Sequence, residues 1–119
     1  MTSGDPSATS IASLEELSRQ RPLDDVLLDL ETQLGELRRD ATELVNAVAT
    51  ERSAAEEWER RAMLTVHEGR DDLARTALRR HQEHSEAAET LEAELHLLEQ
   101  MCDSVEKTVA RIRAKPPSA

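Results

Sequence analysis

From Leu27 to Thr65, mostly apolar side chains recur at alternating steps of three and four residues without a slip. The rungs are Leu27, Leu30, Leu34, Leu37, Ala41, Leu44, Val48, Glu51, Ala55, Trp58, Ala62 and Thr65, ten of the twelve apolar. A second ladder runs through Ala74, Ala77, His81, His84, Ala88, Leu91, Leu95, Leu98, Cys102, Val105, Val109 and Ile112, again with ten of twelve apolar when cysteine is counted. A heptad repeat of this kind keeps one stripe of an α-helix turned toward a partner helix. A strand alternates with a period of two and cannot present these residues on one face.

The ladders mirror each other about a point between Gly69 and Arg70. Folding there sets Leu27 against Ile112, Leu37 against Cys102, Leu44 against Leu95 and Trp58 against His81. Gly69 is free to take the left-handed conformation that ends a helix, and Asp71 is of the type that caps the next one. The expectation is an all-α fold: an antiparallel two-helix coiled-coil hairpin over residues 22–115, its tip near residues 67–72. One continuous helix in an intermolecular coiled coil is the competing arrangement, because a glycine inside a helix costs only about 1 kcal/mol.

Composition supports long helices. Trp58 is the only aromatic residue among the 119, charged residues make up 34%, and prolines stand only at 6, 22, 116 and 117. Pro22 suits a helix start, and Asp24 and Asp25 favour the positive end of its dipole. Residues 1–21 are rich in Ser and Thr and read as a flexible tail. A short helix from Ile11 to Gln20 is open there, with Ser13 and Glu16 at capping-box spacing. Residues 116–119 read as a flexible end.

A formal charge of −10 points away from nucleic acid, whose phosphates need a basic surface. The single Cys102 excludes an internal disulfide and fits a reducing compartment. No apolar run approaches the roughly 20 residues of a membrane span, and the N-terminus lacks the basic-then-apolar order of a signal peptide. The expected location is cytoplasmic. Carboxylates occur only as helix-surface charges, and there is no phosphate loop and no nucleophile with a base at motif spacing. The reading is non-enzymatic, with no cofactor.

His81 and His84 lie three apart on one face, as metal ligands often do, but no Cys or acidic residue completes a set beside them. They read as seam residues near Ala55 and Trp58, as Cys102 reads as a small packing residue. Charging the two histidines near pH 6 is expected to loosen the tip-proximal half of the seam. A melting temperature unchanged between about pH 5 and pH 8 would count against that.

Arg60, Arg61, Arg70, Arg75, Arg79 and Arg80 cluster around the tip of an otherwise acidic chain. They offer a basic contact for an acidic partner surface, or are neutralised locally by Glu57, Glu59, Glu68, Asp71 and Asp72. Leu28, Met63, Leu64 and Leu97 fall off the seam. A two-helix hairpin has one buried stripe, so these side chains want a second surface, each worth roughly 1.5–3 kcal/mol when buried. They favour self-association, with a dimer of hairpins as the simplest form, or docking on another protein. The candidate contact set is therefore Arg60, Arg61, Met63, Leu64, Gly69, Arg70, Arg75, Arg79 and Arg80.

The stretch WERRAMLTVHEGRDDLARTALRR, starting at Trp58, resembles the hairpin-tip region of the phage-shock-protein A family, which includes the vesicle-inducing protein of plastids. The residues that carry the likeness are Trp58, Arg61, Ala62, Gly69, Arg70, Asp72, Leu73, Ala74, Arg75, Ala77 and Leu78. Asp71 stands where Glu is usual and Thr65 where Ala is usual. The stretch RPLDDVLLDLETQLGELRRD also fits the family's first long helix, and the likeness covers about residues 22–115. It implies a coiled-coil hairpin of the ESCRT-III-like superfamily, whose members respond to membrane stress, remodel membranes as large assemblies and in some bacteria restrain a AAA+ transcriptional activator. The expected partners are such a AAA+ regulator or family members. The family's amphipathic N-terminal helix would precede Pro22, where this chain is Ser/Thr-rich and slightly acidic, and its later helices would follow KPPSA. The resemblance thus points to a regulatory or adaptor module, with membrane contact peripheral and at the inner face. A self-assembling membrane scaffold is the alternative.

Overall fold

The computed structural model describes the backbone of residues 6–114 and the side chains of residues 22–114. Two helices account for it: α1, Pro6–His67, and α2, Asp71–Ala114. They form a helical hairpin, and the backbone reverses at Gly69, so the continuous-helix arrangement is not adopted.

All twenty-four rungs are buried or half-buried. Among the residues with described side chains, only Ala47, Ala54, Glu57, Ser85, Ala87, Glu92 and Thr108 share that state away from the ladders. The seam is thus the heptad stripe itself. Threonines inside the helices return their hydroxyls to the preceding turn: Thr42, Thr50, Thr76 and Thr90 each donate to the carbonyl four residues back. That satisfies the hydroxyl without help from solvent.

The chain divides into two compact units, Met1–Gly35 with Val105–Ala119, and Glu36–Ser104. Each contains a piece of both helices, so antiparallel pairing occurs within each. In the first unit Leu34 and Val109 are buried, and Arg113 reaches across the seam to donate to Glu31. In the second, the buried residues are Leu37, Ala55, Ala62, Ala74, Ala77 and Ala88. Around the turn the seam is therefore lined by alanine, whose methyl group lets two backbones come close. Arg52 crosses this part of the seam, its Nε donating to Glu92 Oε1 over 2.7 Å.

The helix start differs from the expectation. α1 begins at Pro6, and Pro22 lies inside it. Both prolines suit a first helical turn, where no amide hydrogen is required, and the sequence alone does not say which is used. Interior proline costs about 3 kcal/mol. The expectations for residues 1–5 and 116–119 fall outside the described residues. Among the described residues, no helix is long and apolar enough to cross a membrane.

Gly69 closes the hairpin with φ +74°. Its N–H donates to the Val66 carbonyl (3.0 Å) and the Arg70 N–H to the Thr65 carbonyl (2.8 Å). That pair of bonds is the Schellman motif, which gives partners to carbonyls that the end of α1 leaves open. The cap of α2 differs from the expectation at Asp71. The Arg70 carbonyl accepts the first bond of α2, from the Ala74 N–H at 3.0 Å, so Arg70 occupies the cap position. Asp71 and Asp72 fall in the first turn, where their charge still meets the positive end of the helix dipole.

A methyl group added at Gly69 would meet nothing within 4 Å, so the cost of Gly69→Ala is conformational only. An L-residue held in this region loses roughly 1–2 kcal/mol. Urea unfolding followed by circular dichroism should show that loss, and a smaller one for Gly69→Asn.

Candidate functional site at the hairpin tip

Four of the six tip arginines are held by neighbouring carboxylates. Glu57 serves two of them: Arg60 Nη2 donates to one carboxylate oxygen at 2.6 Å and Arg61 Nε to the other at 3.3 Å. Arg61 also lies over the Trp58 ring, 4.7 Å from its centroid, a cation–π contact. Arg70 pairs with Glu68 at 3.7 Å, and Arg80 with Glu83 at 3.5 Å. Local neutralisation accounts for these four.

Arg75 and Arg79 are different. Both are exposed, and no hydrogen bond or ion pair among the described residues engages either. They stand one turn apart on α2, on either side of Leu78, which is 50% exposed. Leu78 forms one wall of an open groove of about 340 Å³, completed by Glu59, Ala62, Met63 and Val66 from α1. Met63 is 68% exposed and Val66 58%. The tip therefore presents an apolar hollow with the Glu59 carboxylate in its lining, and two guanidinium groups with no partner of their own flank Leu78 along α2.

Of the residues singled out from the sequence, Met63 lines this groove, and Arg75 and Arg79 flank its residue Leu78 without lining it. Gly69 sets the turn, Arg60, Arg61, Arg70 and Arg80 are bound to acids, and Leu64, 63% exposed, does not line the groove. Val66 is not among the residues the sequence singles out, and Leu78 enters there only through the family likeness. The signal for them was present: Met63, Val66 and Leu78 each follow a rung by one residue. At 100° per residue that places them on the same flank of each helix, and antiparallel pairing brings the two flanks to one face.

The seam histidines take part in the hairpin itself. His81 Nδ1 lies 2.8 Å from the Ala55 carbonyl and His84 Nδ1 2.5 Å from Glu51 Oε2. A carbonyl and a carboxylate only accept, so in both rings Nδ1 carries the hydrogen. An imidazolium keeps that donor, and charging either ring breaks neither bond. Loosening at low pH would have to come from placing charge in the half-buried seam. Among the described residues, no three His, Cys, Asp or Glu side chains form a group that could hold a metal ion.

The two hydrogen-bonding guanidinium groups, Arg60 foremost, hold the Glu57 carboxyl below its ordinary value of 4.5, and Arg60 is raised in return. A lowered folded-state value means the contribution is present above about pH 4.5 and lost as pH falls through that lowered value. Glu57→Gln should thus reduce the melting temperature slightly at pH 7, as expected of an exposed pair. The deficit should vanish near pH 2, a comparison that calorimetry at the two pH values makes directly.

The chain is similar to the membrane-associated protein VIPP1, chloroplastic, of Oryza sativa subsp. japonica, with 29% identity over 101 residues. The match takes in 79% of this chain and 31% of that protein, so the chain spans about a third of its relative's length. No family model matches. The similarity agrees with the resemblance of the hairpin region to the phage-shock-protein A family.

Proposed function

We propose that this chain is a non-enzymatic coiled-coil module of the phage-shock-protein A kind, serving membrane-stress response as a regulator or adaptor through contacts of its hairpin tip with other proteins. The observation that carries the reading is the groove of Met63, Val66 and Leu78 beside Arg75 and Arg79. An exposed apolar hollow next to unneutralised cations suits a partner that brings an apolar anchor flanked by carboxylates. The partner in this reading is a AAA+ regulator or a family member, and the chain itself associates as a dimer. A membrane-associated, self-assembling scaffold is the second reading, favoured by the words "membrane-associated" in the relative's name.

Two assays on the full chain separate these. Titrated against a AAA+ transcriptional activator, the wild type should lower ATP hydrolysis, and Arg75→Glu/Arg79→Glu should reduce that inhibition at least tenfold. Co-sedimentation with anionic vesicles in the absence of any other protein should be weak. Strong sedimentation with vesicles and no effect on the ATPase would replace the adaptor reading with the scaffold.

A further inference from the structure

Arg52 and Glu92 each follow a rung by one residue, and they meet across the seam, Arg52 Nε donating to Glu92 Oε1 at 2.7 Å. One heptad nearer the turn, the same two positions hold Glu59 and Ser85, and one heptad further they hold Val66 and Leu78. Positions of this kind flank a coiled-coil seam and join its helices when their charges are opposite. The heptad step thus sets Glu59 opposite an uncharged residue. Glu59 is exposed, and no hydrogen bond or ion pair among the described residues engages it, although it lines the tip groove with Met63, Val66 and Leu78. Other acids near the turn are engaged: Glu56 and Glu57 act on Arg60, Glu68 pairs with Arg70, Glu83 pairs with Arg80, and Asp71 and Asp72 stand in the first turn of α2. The tip is left with two strips of opposite sign, each beside apolar side chains. On α1 the strip is Glu59 with Met63 and Val66; on α2 it is Arg75 and Arg79 with Leu78.

We propose that the tip groove is covered by the tip of a second copy of this chain, Leu78 of each copy seated on Met63 and Val66 of the other and Glu59 of each facing Arg75 and Arg79 of the other. The occupant follows from the groove's own charge. That charge is an acid, so a matching segment brings a cation beside an apolar side chain, and Arg75-Thr-Ala-Leu78-Arg79 is such a segment. A two-fold axis parallel to the helices lays α1 of one copy on α2 of the other. Acid then meets cation, and apolar meets apolar, once on each side of the axis, and the assembly closes as a dimer. The levels agree as well: Arg79 follows Leu78 in the direction away from the turn, and Glu59 lies one helical turn, about 6 Å, from Met63 in that same direction. Every residue of the contact belongs to the Glu36–Ser104 unit, so nothing is required of the other unit. The inference rests on the preceding reading only for its dimer, to which it gives contacts, and it puts an outside partner at the tip in competition with the second copy.

The test is a charge swap read by light scattering on the eluting full chain, with no partner or vesicle present. Glu59→Arg and Arg75→Glu/Arg79→Glu each set like charges against each other at both contacts of a homodimer. Mixed, the two variants restore opposite charge at both. The wild type should elute at twice the chain mass, each variant alone at once the chain mass, and the mixture again at twice. Leu78→Gln, which leaves every charge in place, should weaken the dimer at least tenfold, and circular dichroism should show the same helicity throughout. A wild type that stays at the single chain mass at every concentration would overturn the proposal and leave the groove to an outside partner, with the adaptor reading intact. A variant that alone keeps the double mass, or a mixture that does not regain it, would overturn the proposal too and place the dimer contact elsewhere on the hairpin.

Discussion

Two helices of this kind have only each other to bury against, and the seam between them governs what the rest of the chain is free to do. Its rungs hold almost all the buried surface, and around the turn they are alanines: Ala55, Ala62, Ala74 and Ala77. Small residues bring little apolar area each. What they allow is close approach of the backbones, so that a side chain on one helix reaches the main chain of the other. His81 does this at the Ala55 carbonyl. The same narrow seam cannot cover bulky side chains beside it, and Met63, Val66 and Leu78 remain open to solvent.

The turn and the seam constrain each other. A heptad ladder fixes which residues face inward only if the two arms meet in register, and the connection sets that register. Gly69 with φ +74° lets the Gly69 and Arg70 amides return to the Val66 and Thr65 carbonyls, so the last turn of α1 closes without a longer loop. With the reversal this tight, Thr65 and Ala74 become the first rungs on either side of it. Shifting the turn by one residue would move one ladder out of the seam.

The seam was legible in the sequence because burial in a coiled coil has a period, and a period can be counted over twelve rungs in each arm. The position of the turn followed from the mirror relation of the ladders, and glycine at that point agreed with it. Details without a period were less legible. Pro6 and Pro22 are chemically equivalent as helix starts, and the longer helix adds turns whose value depends on tertiary contacts. Asp71 is a good cap by side chain, but the tight turn put the Arg70 carbonyl in the capping place. The groove needed one more step. Its walls come from two helices, and only the rule that antiparallel flanks share a face joins Val66 to Leu78.

Charge around the turn shows how local geometry selects among similar residues. Arg60 and Arg61 are one turn from Glu57 on the same helix, and Arg80 is three residues from Glu83. Each finds a carboxylate without a change of backbone. Arg75 is equally near in sequence to Asp71 and Asp72, yet it makes no pair with them; those carboxylates stand in the first turn of α2, where their charge meets the positive end of the helix dipole. The tip keeps cationic charge beside its own exposed apolar flank, and that pairing of features is what gives it a surface fit for recognition.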